Sequence, residues 1–300
     1  MDSVFSENRS LLFGIAYRML GRVADAEDVV QETFLRWQRQ DPAKIVSPKA
    51  WLISAVTRLS IDQLRSARRQ REEYVGVWLP EPIVGADTVT PADTAALADS
   101  LGMAFMTMLE TLSPVERAVF LLREVFDYEF AEIARIVGKT EVNCRKIVGR
   151  AKERLGGRDA PSSARASAAE PIVKRFLSAC STGNVSELLA VLTDDVVLYT
   201  DGGARVRAAR RPIRTADRVS RFFAGIRHRS MLGAEIQFIR VNGEFGVLIR
   251  SPSGRTTVTA FAFDGDRIKE IYSVSNPEKL RDLPPPRAKP PAMGTDAGRN

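Results

Sequence analysis

Four side chains in the last third of the chain, Tyr199, Asp201, His228 and Tyr272, are of the types that move protons. A carboxylate and a phenol set in an apolar pocket can work as an acid–base pair. Each has a plainer reading beside that one. Asp201 precedes two glycines and reads as a turn residue. His228 stands between Arg227 and Arg229 and reads as a surface histidine. It is the one histidine of the chain, so no metal site can be built from histidines, and there is no Cys-x-x-Cys spacing. Cys144 and Cys180 lie in apolar helical patterns and read as buried thiols of a reducing compartment. No catalytic residue, cofactor or metal is expected.

The stronger chemistry is electrostatic. The chain carries 44 Lys and Arg against 37 Asp and Glu, a net charge of +7 that weakly favours an anionic partner. The stretch "EFAEIARIVGKTEVNCRKIVGRAKERL", residues 129–155, predicts two crossing helices. Phe130, Ile133, Ala134 and Val137 form the inner face of the first, and Ala134 is small where the helices cross. Gly138 supplies the turn. Thr140 caps the second helix, which buries Cys144, Ile147, Val148 and Ala151. From Lys139 to Arg158 there are seven basic and two acidic residues. That is a helix-turn-helix whose second helix suits a major groove. Arg145, Lys146 and Arg150 would meet DNA, and Glu141 and Asn143 would stand near base edges.

Two further surfaces carry charge. In "TRLSIDQLRSARRQRE", Arg58, Asp62, Arg65 and Arg69 share one helical face, with Arg68 and Arg71 beside it. A salt-bridged solvent face is the bland alternative. In "ADAEDVVQETFLRW", Asp25, Glu27, Asp28 and Glu32 line one side, with Gln31 and Phe34 adjacent. An acidic, apolar face repels phosphate and suits a basic protein partner, unless the acids only favour a helix N-terminus. Residues 203–229 hold nine arginines and one acid, Asp217. They could meet DNA or the acidic face around Asp25 to Glu32, or simply be solvated.

These residues must be positioned by a chain of several parts. Residues 1–75 read as helices by their i, i+3, i+4 rhythm, and residues 96–156 as a second helical unit. The second contains a Ser113-Pro114-Val115-Glu116 capping box. Between them, residues 76–95 form a linker holding "VWLPEPIV", whose Trp78, Leu79, Pro80 and Pro82 are out of place in a plain spacer. Residues 157–168 read as a flexible linker. Residues 169–282 read as an α+β domain, helices first and then a curved antiparallel sheet. Its strands are separated by the turn pairs Asn242-Gly243, Ser253-Gly254 and Asp264-Gly265. The Pro-rich residues 283–300 read as a disordered tail. The N-terminus is no signal peptide and no apolar run is long enough to span a membrane, so a soluble, cytoplasmic protein is expected.

In this order the blocks resemble the extracytoplasmic-function sigma factors of bacterial RNA polymerase. "RSLLFGIAYRMLGRVADAEDVVQETFLRW" and "PKAWLISAVTRLSIDQLRSARRQ" look like sigma domain 2. "LSPVERAVFLLREVFDYEFAEIARIVGKTEVNCRKIVGRAKERL" looks like sigma domain 4. The resemblance implies that Asp25, Glu27, Asp28, Gln31, Glu32 and Phe34 meet the β′ clamp helices of core polymerase. It places Asp62, Arg65, Arg68 and Arg69 at −10 promoter DNA, near the loop 39–48, and Arg145, Lys146 and Arg150 at −35 DNA. The β flap would be a further polymerase contact. Residues 169–282 are similar to SnoaL-like domains, which one sigma subfamily carries at its C-terminus. The signatures of that subfamily stand here as "WLPEP" (Trp78, Leu79, Pro80, Glu81, Pro82), "DGGAR" (Asp201, Gly202, Gly203, Ala204, Arg205) and "NPEKL" (Asn276, Pro277, Glu278, Lys279, Leu280). Ala204 takes a place where that subfamily usually has glycine. The resemblance implies a built-in regulator that holds the linker, in a chain that is monomeric when free. Its pocket would make a small-molecule ligand possible. Two other functions stay open: a helix-turn-helix regulator that acts without polymerase, and a SnoaL-like enzyme fused to a DNA-binding module.

Overall fold

The computed structural model describes residues 2–41, 44–85, 102–155, 166–281 and 283. Of the linkers expected over 76–95 and 157–168, residues 86–95 and 157–165 lie outside the described residues, as do the tail from 284 and the side chain of Arg69; residues 166–168 belong to a helix instead.

Three helices open the chain: α1 (Asp2–Leu20), α2 (Val23–Gln38) and α3 (Pro48–Glu72). Ser47 caps α3 through its side chain, which accepts from the Ala50 amide, and Pro48 occupies the first turn, where its missing N–H costs nothing. Four more follow: α4 (Met103–Leu109), α5 (Pro114–Glu124), α6 (Phe130–Val137) and α7 (Glu141–Leu155). The capping box at the start of α5 forms in both directions between Ser113 and Glu116. Gly138 ends α6 in the left-handed region at φ 67°. The Thr140 hydroxyl then accepts from the Asn143 amide at 3.3 Å and starts α7. The buried residues of α1–α3 and of α4–α7 run together into one apolar cluster, so the two helical units share a core.

The C-terminal domain begins with α8 (Ala166–Thr182) and α9 (Val185–Val191), followed by β1 (Leu192–Asp201), the short β2 (Ile213–Arg214) and α10 (Ala216–Ser230). Strands β3 (Glu235–Val241), β4 (Glu244–Arg250), β5 (Thr256–Asp264) and β6 (Arg267–Val274) then form an antiparallel meander, and a 3-10 turn (Pro277–Lys279) ends it. The sheet order is β2-β1-β6-β5-β4-β3. β1 lies parallel to β6, so the sheet is mixed. Turn pairs announce only antiparallel neighbours; a parallel pair joined through a long excursion leaves no such mark.

The sheet has two apolar faces, as strand alternation demands. One packs on α8, α9 and α10 around Phe176, Phe223 and Phe261, whose rings meet edge to face. The other carries Tyr199, Tyr272, Val274, Val258, Ala260 and Leu248, and is covered by the linker and by Met103 of α4.

Ala204 sits at φ 57°, in the left-handed region. That conformation costs an L-residue roughly 1–2 kcal/mol, part of which glycine returns through its freer unfolded chain. Ala204→Gly is expected to stabilise the chain by up to about 1 kcal/mol, read as a higher urea midpoint. An unchanged or lower midpoint would mean that the loop carries no strain there.

Candidate functional site

The linker crosses the second sheet face and is held there by three groups of contacts. At its centre is Asp201, the last residue of β1, whose carboxylate is almost wholly buried. Its Oδ1 accepts from the Tyr74 hydroxyl and from the Gly203 amide at 3.1 Å. Its Oδ2 accepts from the Leu79 amide at 2.9 Å and from Lys279 Nζ at 2.8 Å. Those four bonds match the four lone-pair sites of a carboxylate. Lys279 also donates to the Leu79 carbonyl and lies 4.1 Å from the centre of the Trp78 ring. The Arg71 guanidinium stands 3.5 Å from the same ring. Asn276 donates to the Tyr74 hydroxyl at 3.0 Å and accepts from the Glu278 amide at 3.0 Å. Arg205 pairs with Glu278 at 3.0 Å.

Backbone constraints fix this arrangement. A Cβ on Gly203 would lie 2.2 Å from Asn276 Cγ, and one on Gly202 would lie 2.0 Å from the Val206 carbonyl oxygen. Leu79, Pro80, Glu81 and Pro82 are all buried, Leu79 completely. Trp78 is half-buried, and it lies over Gly21 of the first helical unit, where a Cβ would come within 2.7 Å of its ring. Glu81 works at both ends. Its carboxylate accepts from the Val23 amide at 3.1 Å, at the start of α2, and its carbonyl accepts from the buried Tyr17 hydroxyl at 2.6 Å. Asn242 completes the seat: its amide donates to Tyr17 at 2.9 Å, and its Oδ1 accepts from the Ile83 amide at 2.7 Å.

A second junction ties α3 to the helix-turn-helix unit. Glu110, at the end of α4, lies between Arg71 of α3 and Arg117 of α5. Burial raises the pKa of Glu110, but Arg117 and Arg71 outweigh it, and its carboxyl is held below the usual range. Arg117 also donates to the Arg18 carbonyl at 2.8 Å. Arg68 donates to the carbonyls of Glu110 and Leu112. Arg58 donates to the Ile136 and Arg135 carbonyls at 2.9 and 3.0 Å, at the C-terminus of α6, where a cation is favoured.

The other residues singled out in the sequence fall as follows. On α2, Asp28 and Gln31 are exposed and Asp25 is half-buried; Glu27 pairs with Arg9 and Glu32 with Arg36. Phe34 packs against Phe5, ring centres 4.7 Å apart. On α3, Asp62 and Arg65 form an exposed pair at 3.1 Å. On α7, Asn143, Lys146 and Arg150 share an exposed stripe, while Arg145 pairs with Glu141 and covers Phe130. Tyr199 and Tyr272 stack at 5.1 Å beneath the linker, and Tyr272 donates to Glu270 at 2.8 Å. His228 is exposed on α10, away from them. Sequence reading missed Tyr17, Tyr74, Glu110, Arg117 and Asn242 as site residues. Only Asn242 left a trace, as a turn residue. Among the described residues no group of acids, cysteines and histidines could hold a metal, and no helix is long and apolar enough to cross a membrane.

There are two helical units, the second ending in an exposed basic helix after a left-handed glycine turn, and the comparisons identify both as those of a sigma-70-type protein. Residues 4–70 match sigma-70 region 2 and residues 102–155 match sigma-70 region 4. The ECF RNA polymerase sigma factor SigJ of Mycobacterium tuberculosis is 35% identical over 306 residues, covering 97% of each chain. The probable ECF RNA polymerase sigma factor SigI of the same species is 30% identical, covering 94% of this chain and 96% of that one. The crystal structure of M. tuberculosis SigJ superposes with a TM-score of 0.76 at 32% identity, over 94% of this chain and 98% of that one. The chain belongs to the extracytoplasmic-function RNA polymerase sigma factors: it directs transcription initiation, and it carries a C-terminal α+β domain that the SigJ match includes.

Lys279 is the cation paired with the buried Asp201 carboxylate at 2.8 Å. Removing one partner of a buried pair costs about 3–5 kcal/mol, so Lys279→Met is expected to lower stability by that order and to change Trp78 fluorescence, assigned by subtracting a Trp78→Phe chain. Burial lowers the pKa of Lys279 to about 8, though Asp201 pulls it up. Its unfolded value is near 10.5. The folded chain therefore binds fewer protons over that window, and this group's contribution to stability rises from about pH 8 towards 10.5. Tyr74, whose pKa burial and Asp201 raise, opposes the rise once unfolded phenol ionises near pH 10. Urea midpoints between pH 7.5 and 9.5 should climb in the wild type and climb less in Lys279→Met.

Proposed function

We propose that the C-terminal domain restrains the sigma activity by holding the inter-domain linker, and that the free chain is a closed, inactive form. The observation that carries this reading is the Asp201 carboxylate, whose bonds join the end of α3, the linker and the Lys279 turn. In this reading α2 offers Asp25, Asp28 and Gln31 to the β′ clamp helices of core polymerase. Asp62 and Arg65 face −10 DNA from the start, with Arg68 joining after opening; Arg69 belongs to the same expected DNA face. Asn143, Lys146 and Arg150 of α7 meet −35 DNA. The C-terminal domain carries out no turnover: the acid that could serve as a base, Asp201, has its acceptor sites taken by Tyr74, Leu79, Gly203 and Lys279. The protein works in the cytoplasm as a monomer until it joins polymerase.

Closure has a cost in affinity. If only a fraction of the chain is open, the apparent dissociation constant for polymerase rises by the inverse of that fraction. Loosening the Glu110 junction should therefore act as an activating change. Glu110→Gln leaves Arg71 and the wholly buried Arg117 without their shared carboxylate. It is expected to raise promoter-specific transcripts at sub-saturating core polymerase about tenfold, consistent with about 1.4 kcal/mol of lost closure. Single-round transcription with purified core polymerase reads this. Asp28→Arg in the same assay should abolish transcripts while leaving −35 DNA binding intact. Equal output from wild type and Glu110→Gln across core concentrations would sink the closed-state reading.

A further inference from the structure

Five arginines of the C-terminal domain have no use in the contacts described so far. Arg207, Arg210 and Arg211 lie on the loop between β1 and β2, Arg214 on β2, and Arg218 in the first turn of α10. All five are exposed. None has an ion-pair partner within 4.0 Å among the described residues, whereas their neighbours do: Arg205 pairs with Glu278 and Arg221 with Asp217. Among the described residues, no acid of α2 lies within ion-pair distance of them; Glu27 and Glu32 pair with Arg9 and Arg36. Five like charges within twelve residues repel one another, and an anion would relieve that.

The loop that carries them is built rather than loose. The Thr200 hydroxyl accepts from the Ala209 amide at 2.8 Å, and the Val206 amide donates to the Gly202 carbonyl at 2.9 Å. Arg214 is held in register opposite Val197 on the edge of the sheet. The loop also abuts the end of α3: a Cβ on Gly76 would lie 3.7 Å from Arg210 Cα. Arg210 of this charged segment thus lies beside the turn that follows α3.

The surface composition selects the anion. No residue from 200 to 221 is aromatic, and no large exposed hydrophobic lies there. A protein interface needs an apolar centre, and single-stranded nucleic acid needs rings to stack on. A bare guanidinium surface suits the phosphates of a duplex, which Arg grips in bidentate fashion. We propose that Arg207, Arg210, Arg211, Arg214 and Arg218 form a duplex-DNA phosphate-binding surface, by which the C-terminal domain extends the promoter contact of α3. The proposal rests on the reading that α3 faces −10 DNA.

The test is the salt dependence of promoter binding by holoenzyme assembled from the full chain and core polymerase. Each phosphate contact adds about 0.9 to the slope of log affinity against log salt. A chain with all five arginines changed to glutamine should lose about 2–4 from that slope and roughly 10- to 100-fold in affinity near 0.15 M salt. The loss should be the same on promoter and non-promoter duplexes, since phosphates carry no sequence. The five matching Arg→Lys substitutions should restore the slope, which a merely misfolded loop would not do. An unchanged slope overturns the proposal, and so does weaker binding to core polymerase at an unchanged slope, which would assign the surface to a protein partner. Arg65→Gln separates the two readings: it should weaken promoter binding whether or not the arginine surface exists. If it does not, the placement of α3 fails, and a slope still lost in the five-glutamine chain would support the surface on its own.

Discussion

Burying one carboxylate sets most of the inter-domain geometry. Taking Asp201 out of water costs several kcal/mol unless a cation and donors surround it. The surroundings come from four separate places: Tyr74 after α3, Leu79 in the linker, Gly203 in its own loop and Lys279 after β6. None can be moved without leaving a lone pair or a charge unmatched in an apolar setting. A buried ion pair of this kind adds little net stability over a well-packed apolar substitute, but it discriminates sharply between arrangements. Here it selects one path for the linker across the sheet. The apolar contacts of Leu79, Val77 and Met103 with that face supply the attraction.

The linker in turn connects the sheet to the first helical unit. Glu81 caps α2, whose own N-cap residue, Arg22, makes no side-chain cap. Trp78 fits only because Gly21, at φ 71°, has no Cβ. The turn between α1 and α2 is therefore shaped for the linker, and the α2 surface that carries Asp25 and Asp28 begins at a helix end held by it. Displacing the linker removes that cap, uncovers an apolar sheet face and leaves Asp201 short of donors. These losses coincide because the groups share one short peptide, which is what makes the junction suited to switching rather than to gradual loosening.

What could be read from the sequence was local. The capping box at Ser113, the Gly138 turn, the Thr140 cap and the meander turns each depend on residues within a few positions of one another, and the structure holds them, except that the last turn is made by Gly265 and Asp266, with Asp264 paired to Arg267 at the strand ends. The packing of Cys144, Ile147, Val148 and Ala151 followed from helical period. Asn242 was legible as a hairpin residue, at φ 52°, but its amide also anchors Ile83 and Tyr17, 159 and 225 residues away. Nothing in a local window marks such a partner. The same limit hid Glu110, whose partner Arg71 is 39 residues distant, and the parallel pairing of β1 with β6. Arg58 and Arg71 were legible as part of a basic face, but not as groups that face another domain.

That last difference bears on mechanism. Arg58 and Arg68 donate to backbone carbonyls of the helix-turn-helix unit, two of them at a helix C-terminus that carries about half a negative charge. Carbonyl oxygens there offer a guanidinium what phosphate oxygens offer, with less charge. The second helical unit thus occupies basic side chains of α3 with a weaker acceptor than DNA would supply. Arg65 remains outside that competition, paired only with exposed Asp62. A surface that is partly free and partly masked allows a first encounter before opening. In the proposed reading, the masked arginines would favour DNA only once Glu110 no longer binds the domains together, and the order of events would follow from which arginines are engaged and which are free.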